Sequence, residues 1–214
     1  MATISTLQTT IIRDLARGDT SLSDLVLIEI QSAVKEYEAT RFYFNERSLS
    51  ITLSSTNTYA LSLWAGTDPA LLADIIEVDT MSVLVAGSRR YDLKSIGHDR
   101  LRGMDYQPAQ PTGNPNYYAL WQQSIKIDTY PSPSITGTID CHVRLVELNA
   151  PTDTNAWTTD GLELIRFAAG KRMHAIRYRD YEAAEASAKG EALALAALKR
   201  KTDALTSSSM DGYL

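Results

Sequence analysis

The segment that decides the fold reads TGNPNYYALWQQSIKIDTYPSP and spans residues 112–133. Each proline fixes its own φ and steers the residue before it away from helix, so the two ends of the segment are turns. Between them Trp121, Ile125 and Ile127 alternate with polar residues, which predicts a strand that places all three side chains on one buried side. The segment therefore predicts turn, strand and turn, and it contains no catalytic motif.

Composition places the chain among ordinary globular proteins. Of its 214 residues, 44% are hydrophobic and 22% are charged. The formal net charge of −5 disfavours broad binding to nucleic acid phosphates. Cys141 is the only cysteine, so no internal disulfide forms and we expect folding in the cytosol. We expect no signal peptide, because the N-terminus lacks a basic region followed by an apolar core, and no membrane span, because the strongest apolar run, residues 25–30, is far too short.

Amphipathic periodicity predicts helices near both ends of the chain. Residues 4–15 and 22–37 repeat apolar side chains at helical spacing, and Glu29 in the second helix is expected to face outward. Residues 162–176 carry a similar apolar stripe. The last predicted helix, from about residue 180 to 205, is rich in alanine, which favours helix and allows a neighbouring backbone to approach closely.

Alternation of polar and apolar residues predicts β-strands between the helical regions. Residues 49–53 and 59–63 are predicted to pair as a hairpin, and residues 75–85 and 136–148 to form longer strands. A short helix is expected near residues 96–104. The predicted fold class is α+β: a helical bundle from the N- and C-terminal helices, an inserted antiparallel β domain and an extended C-terminal tail.

The changes of pattern also predict the boundaries of these parts. The helical part is expected to comprise residues 1–41 and 159–205, the β domain residues 42–158, and the tail residues 206–214.

Several motifs occur in a definite order along the chain. They are an aromatic link RFYFNE (41–46), a tyrosine strand YAL (59–61), an isoleucine-rich strand IIEV (75–78), the turn TGNP (112–115) followed by YYA (117–119), and the turn YPSP (130–133). In combination they resemble the head-to-tail adaptor proteins of tailed bacteriophages, also called connector or head completion proteins. The resemblance extends over most of the chain.

The resemblance implies a virion structural protein and not an enzyme. Such adaptors form dodecameric rings that bind below the portal, extend the DNA channel, retain the packaged genome until ejection and provide a docking surface for tail or nozzle proteins. Double-stranded DNA would pass through the channel without sequence-specific binding. Assembly is expected in the host cytoplasm, with no membrane partner, metal or cofactor.

Three groups of residues are candidates for these contacts. By the resemblance, the portal-binding tail comprises Thr206, Ser207, Ser208, Ser209, Met210, Asp211, Gly212, Tyr213 and Leu214. The alanine-rich helix provides a candidate subunit interface at Ala184, Ala188, Leu195 and Leu198. The third group is basic: Lys171, Arg172, Lys199, Arg200 and Lys201. These residues either face the channel or portal, or are paired surface charges at helix ends.

Two other functions remain open, a cell-wall-degrading (muralytic) hydrolase and a generic protein-interaction module. Cys141 and His142 combine a nucleophile with a base, but neighbouring residues of a strand point to opposite faces and cannot form a dyad. Cys141 is therefore expected in the core, with His142 and Asp140 on the solvent side. Exposed carboxylate pairs such as Glu182 and Glu185 are compatible with a hydrolase only if their separation in space is suitable.

Overall fold

The computed structural model describes residues 2–15, 22–65, 75–85, 90–105 and 111–208. In chain order the elements are α1 (Ile4–Asp14), α2 (Ser23–Tyr37), β1 (Glu46–Leu53), β2 (Thr58–Ala60), α3 (Leu61–Ala65), β3 (Ile75–Leu84), β4 (Arg90–Asp92), β5 (Lys94–Ser95), α4 (His98–Asp105), β6 (Tyr117–Trp121), β7 (Ser124–Ile127), β8 (Ile135–Val143), α5 (Ala156–Thr159), α6 (Leu162–Arg172), a π-helical segment (Met173–Tyr178) and α7 (Tyr181–Ser208). The predicted mixed α+β class is confirmed.

The chain divides into two compact units. The first contains residues 1–45 together with 145–214, and the second contains residues 46–144. We call them the helical unit and the β unit, after their main content. The helical unit therefore combines both ends of the chain.

The core of the helical unit is built from the apolar faces of α1, α2 and α6. Ile11, Ile30 and Ile165 are at most 1% exposed, as the helical periodicity predicts. Phe42 packs edge-on against Trp157 with ring centroids 5.7 Å apart. The predicted helices at 4–15 and 22–37 are confirmed.

Glu29 on α2 does not face outward as predicted. It is only 6% exposed, and its Oε1 lies 3.9 Å from the Arg177 guanidinium of the π-helical segment. A distant part of the chain covers this position and supplies a positive charge beside it, which the local pattern of α2 does not reveal.

Helix α7 begins where the sequence predicts but ends later. Arg179 adopts a left-handed conformation with φ 54°, and the Asp180 carboxylate then accepts a hydrogen bond from the Ala183 amide at 3.1 Å. No glycine or proline follows Leu205 within the helix, which continues to Ser208. Thr206, Ser207 and Ser208 are therefore helical rather than extended, while residues 209–214 of the predicted tail lie outside the described residues.

The described residues of the β unit form two four-stranded sheets. One has the order β1-β8-β3-β4 and the other β2-β7-β6-β5, and only the β5–β6 pair is parallel. The predicted hairpin of residues 49–53 and 59–63 is wrong, because β1 pairs with β8 and β2 pairs with β7. Residues 61–65 form α3 instead of continuing the strand. β1 and β2 thus each pair with a strand that is distant in sequence.

The segment at 117–127 is a hairpin rather than one strand. β6 and β7 pair antiparallel around Gln122 and Gln123, and Gln122 has a φ of 50°. Ile125 and Ile127 are buried, but Trp121 is 50% exposed because the turn carries it away from their side. The expectation that Trp121 shares their buried face is wrong.

Two helical glycines at the contact between α6 and α7 give a matched stability test. A Cβ on Gly170 would have the Ser187 Oγ at 3.8 Å, an ordinary contact, whereas one on Gly190 would lie 2.6 Å from Phe167 ring carbons. We expect Gly170→Ala to raise the free energy of unfolding by about 0.5–1 kcal/mol through helix propensity. Gly190→Ala has the same gain in helix propensity, but its new methyl group overpacks against Phe167. We therefore expect this variant to be about 1 kcal/mol less stable than wild type.

Chemical denaturation of both variants measures the difference. Equal stabilisation by the two substitutions would contradict a tight α6–α7 contact at Gly190.

Candidate interaction surface

The inner side of α7 faces its own unit. Ala184 and Leu198 are each 8% exposed, and Ala188 and Leu195 are half-buried. Leu198 belongs to the core of the helical unit and Leu195 packs against that core. The four residues that the sequence offers as a subunit interface thus lie on the side of α7 that the chain itself uses.

A buried carboxylate joins α7 to α6 and α2. Glu191 is 5% exposed, its Oε2 lies 2.5 Å from Lys171 Nζ, and its Oε1 accepts a hydrogen bond of 2.6 Å from the Tyr37 hydroxyl. Burial and this carboxylate acceptor raise the pKa of Tyr37 well above its ordinary value. Lys171 therefore compensates a buried charge in its own chain.

Arg172 is also paired within the helical unit. Its Nη2 lies 2.6 Å from Glu36 Oε2 on α2. Lys171 and Arg172, at the end of α6, are thus helix-end cations with carboxylate partners. Lys171 joins α6 to α7, and Arg172 joins α6 to α2.

A second cluster ties the C-terminal half of α7 to the segment before β1. The Tyr43 hydroxyl donates a hydrogen bond to Asp160 and accepts one of 2.5 Å from Lys201 Nζ, which lies 4.2 Å from the centroid of the Tyr43 ring. The Tyr43 backbone N–H donates to Thr202 Oγ1 at 3.1 Å. The hydrogen bond from Tyr43 is the main cause of the lowered pKa of Asp160, so this carboxyl group stays ionised beside Lys201.

The other two basic candidates differ from these three. Lys199 and Arg200 are exposed on α7 and make no ion pair with the described part of the chain. That Lys199 and Arg200 face the channel or the portal remains a prediction. No local feature of the sequence separates them from Lys201, whose partners come from distant segments.

The opposite side of α7 is open along most of its length. Its residues recur every three or four positions and all are exposed; we call them the outer stripe, and they are Glu182, Ala186, Lys189, Leu193, Ala197, Arg200 and Ala204. Leu193, in the middle, is 70% exposed. The sequence analysis missed this residue, although its position opposite Leu195 and Leu198 on a helical projection was a usable signal.

The thiol of Cys141 is poorly suited to nucleophilic chemistry. The residue is 1% exposed, as predicted for a core position, and burial together with Asp79 and Asp140 raises the pKa of the thiol to about 12. The solvent-side prediction for His142 is wrong: it is 4% exposed, and neither ring nitrogen has a hydrogen-bond partner among the described residues. Its strand is central in the sheet, so residues on both neighbouring strands flank it.

The structure defines a mixed α+β protein in which the long helix α7 carries the exposed outer stripe. Within the described residues no group of His, Cys, Asp and Glu side chains is arranged to hold a metal ion. None of the described helices is long and apolar enough to cross a lipid bilayer. No protein-family model matches the chain, and a search of curated proteins finds no similar sequence.

Lys171 and Lys199 form a matched pair for separating structural from surface charge. Lys171→Met leaves Glu191 buried without its cation, and we expect it to lower the free energy of unfolding by about 2–3 kcal/mol. Lys199→Met removes an exposed charge and should change the free energy of unfolding by less than about 0.5 kcal/mol. Urea denaturation distinguishes the two, and similar values for both variants would refute the structural role of Lys171.

Proposed function

We propose that this chain is a head-to-tail adaptor of a tailed bacteriophage. In this proposal it is a virion structural protein that forms a dodecameric ring below the portal, extends the DNA channel, retains the packaged genome and presents a docking surface to tail or nozzle proteins. The order of the sequence motifs supports the proposal. So does the outer stripe of α7, which offers an apolar side chain on a helix that its own unit already holds in place.

A closed ring requires a heterologous interface, in which each subunit contributes two different surfaces. The outer stripe is our candidate for one of them, and the exposed Leu193 is the observation that carries this assignment. Ala186 lies two turns before Leu193 and Ala197 one turn after it, and their small side chains allow a neighbouring subunit to approach closely. The inner side of α7, with Ala184 and Leu198, supports this surface from beneath.

The proposed architecture is a helical bundle made from the N- and C-terminal helices, with the β domain inserted between them and a tail after α7. The tail docks on the portal through Tyr213 and Leu214, since a few buried anchors often dominate the energy of an interface. Many tails acting together on one ring strengthen the docking by avidity. Lys199 and Arg200 are the remaining candidates for channel- or portal-facing charge.

The ring interface is tested by a charge placed in the outer stripe. We expect Leu193→Asp to remain folded, because the side chain is exposed, and to prevent the addition of about a dozen subunits to a candidate portal ring. Ile28→Asp is the matched control, because Ile28 is a 49% exposed apolar residue on a different helix, α2. Mass photometry of each variant mixed with portal rings measures the added mass.

Normal ring addition by Leu193→Asp would contradict the interface. If the wild-type chain ignored the portal and stayed a monomer or dimer, the adaptor proposal itself would fail, and a cell-wall hydrolysis assay would test the muralytic alternative.

Portal docking is tested separately by removing the tail. Deletion of residues 209–214 leaves α7 complete to Ser208. We expect this variant to unfold at the wild-type temperature but no longer to co-sediment with portal rings, because it lacks the aromatic and aliphatic anchors. Replacement of the same residues by a Gly/Ser segment of equal length controls for chain length, and portal binding by either variant would contradict the docking role.

A further inference from the structure

The β unit contains a groove that the proposed adaptor function does not use. It has a volume of about 270 Å³ and is lined by Thr58, His98, Trp121, Gln122, Ser124 and Lys126. Every lining residue carries a polar group, and the single large aromatic surface belongs to Trp121. Most small-ligand pockets are lined mainly by apolar side chains, so this polar lining favours a ligand that is itself rich in hydrogen-bonding groups.

Strand pairing produces the floor of this groove. Ser124 and Lys126 lie on one side of β7, opposite the side of the buried Ile125 and Ile127. Thr58 is the register partner of Lys126 on β2, so its side chain shares that side of the sheet. The floor therefore contains the Ser124 hydroxyl, the Lys126 side chain and the Thr58 hydroxyl, which donates to Asn57 Oδ1 at 3.1 Å and can still accept a hydrogen bond from a ligand.

A stacked pair of rings forms the wall. His98, at the start of α4, lies on Trp121 with ring centroids 4.2 Å apart and an angle of 15° between the planes. The stack fixes the orientation of the indole, while Trp121 remains 50% exposed. His98 Nδ1 is buried without a hydrogen-bond partner among the described residues, since its separation of 3.9 Å from Asp99 Oδ1 is too long for one.

Trp121 is half exposed at the edge of this polar groove, and the stacked His98 ring restricts the orientations that its indole can adopt. An oriented ring loses little conformational entropy when a ligand stacks on it. The remaining lining groups, hydroxyls and a primary amide, both donate and accept hydrogen bonds. A ligand that presents an apolar face together with a ring of hydroxyl groups matches this arrangement.

We propose that the groove binds one pyranose ring of a glycan. The C–H face of the sugar lies on the Trp121 indole, and its hydroxyl groups exchange hydrogen bonds with Thr58, Ser124 and Gln122. The volume is below the range of about 300–1,000 Å³ for drug-sized ligands, which suits a single ring. A nucleobase would stack as well, but binding of a single strand relies on a basic groove along its backbone, and Lys126 is the one lysine or arginine among the lining residues.

The tryptophans of the chain make this site directly observable. Trp64 and Trp157 are at most 2% exposed, so Trp121 is the indole that a soluble quencher and a sugar can reach. We would titrate the isotopically labelled full chain with N-acetylglucosamine, galactose, glucuronate and thymidine monophosphate, and follow the indole N–H resonances. We expect at least one sugar to shift the Trp121 resonance and to protect its fluorescence from acrylamide.

Variants connect this signal to the groove. We expect Trp121→Ala to weaken sugar binding by about tenfold or more, and Ser124→Ala to weaken it by a few-fold because one hydrogen bond is lost. Binding by these variants is followed through backbone amide resonances of β7, and thermal unfolding confirms that each is folded. Leu193→Ala, in the helical unit, is the control and should bind as wild type does.

The outcomes separate clearly. No shift with any of the sugars, unchanged sugar binding by Trp121→Ala, or a response to thymidine monophosphate alone would each overturn the proposal. The isolated chain is used without portal, so failure here leaves the adaptor proposal unaffected, and failure of ring assembly leaves this one unaffected.

Discussion

The helical unit depends on packing between two parts of the chain that the entire β unit separates in sequence. Phe42 lies just before that separation and Trp157 follows it, and their rings meet edge to face. The segment that follows the β unit also contacts α1: the Asp153 carbonyl oxygen accepts a hydrogen bond of 3.2 Å from the Ile4 N–H. This bond satisfies one of the backbone N–H groups that have no partner within the first turn of α1. Loop-closure entropy rises only slowly with loop length, so a modest aromatic core and a few caps can hold such distant segments together.

The sequence predicted well whatever depends on neighbours along the chain. The apolar faces of α1 and α2 follow from apolar spacing, because a helix buries one stripe whatever it packs against, whereas the burial of Glu29 beside Arg177 does not. Strand partners follow no such local rule: β1 and β2 have clear alternation, yet each pairs with a strand more than fifty residues away. The same limit explains Trp121, since a tight turn at Gln122 reverses the chain without any glycine or proline to mark it.

The candidate site was predictable to a smaller degree, because the role of a charge depends on what lies opposite it. Lys171, Lys199 and Lys201 look alike in sequence, but Lys171 compensates buried Glu191 and Lys201 joins Tyr43 and Asp160. The partner of Lys171 is on α7, and the partners of Lys201 are in segments far from it in sequence, so no local charge pattern identifies them. The alanine-rich sequence of α7 also does not show which side of the helix its own unit buries, since alanine is compatible with either burial or exposure.

The contacts on the inner side of α7 bear on the proposed ring interface, because they hold the helix that carries the outer stripe. Glu191 anchors the middle of the helix to α6 and α2, and Lys201 and Thr202 anchor it further along. A helix held at several points keeps Leu193 in a fixed position, so a partner that packs against it orders little new structure. Much of the cost of association is the ordering of side chains and loops, and a preorganised surface avoids that part. In the proposed ring, the buried Glu191 and the contacts of Lys201 and Thr202 would therefore favour assembly on the outer stripe without touching the partner.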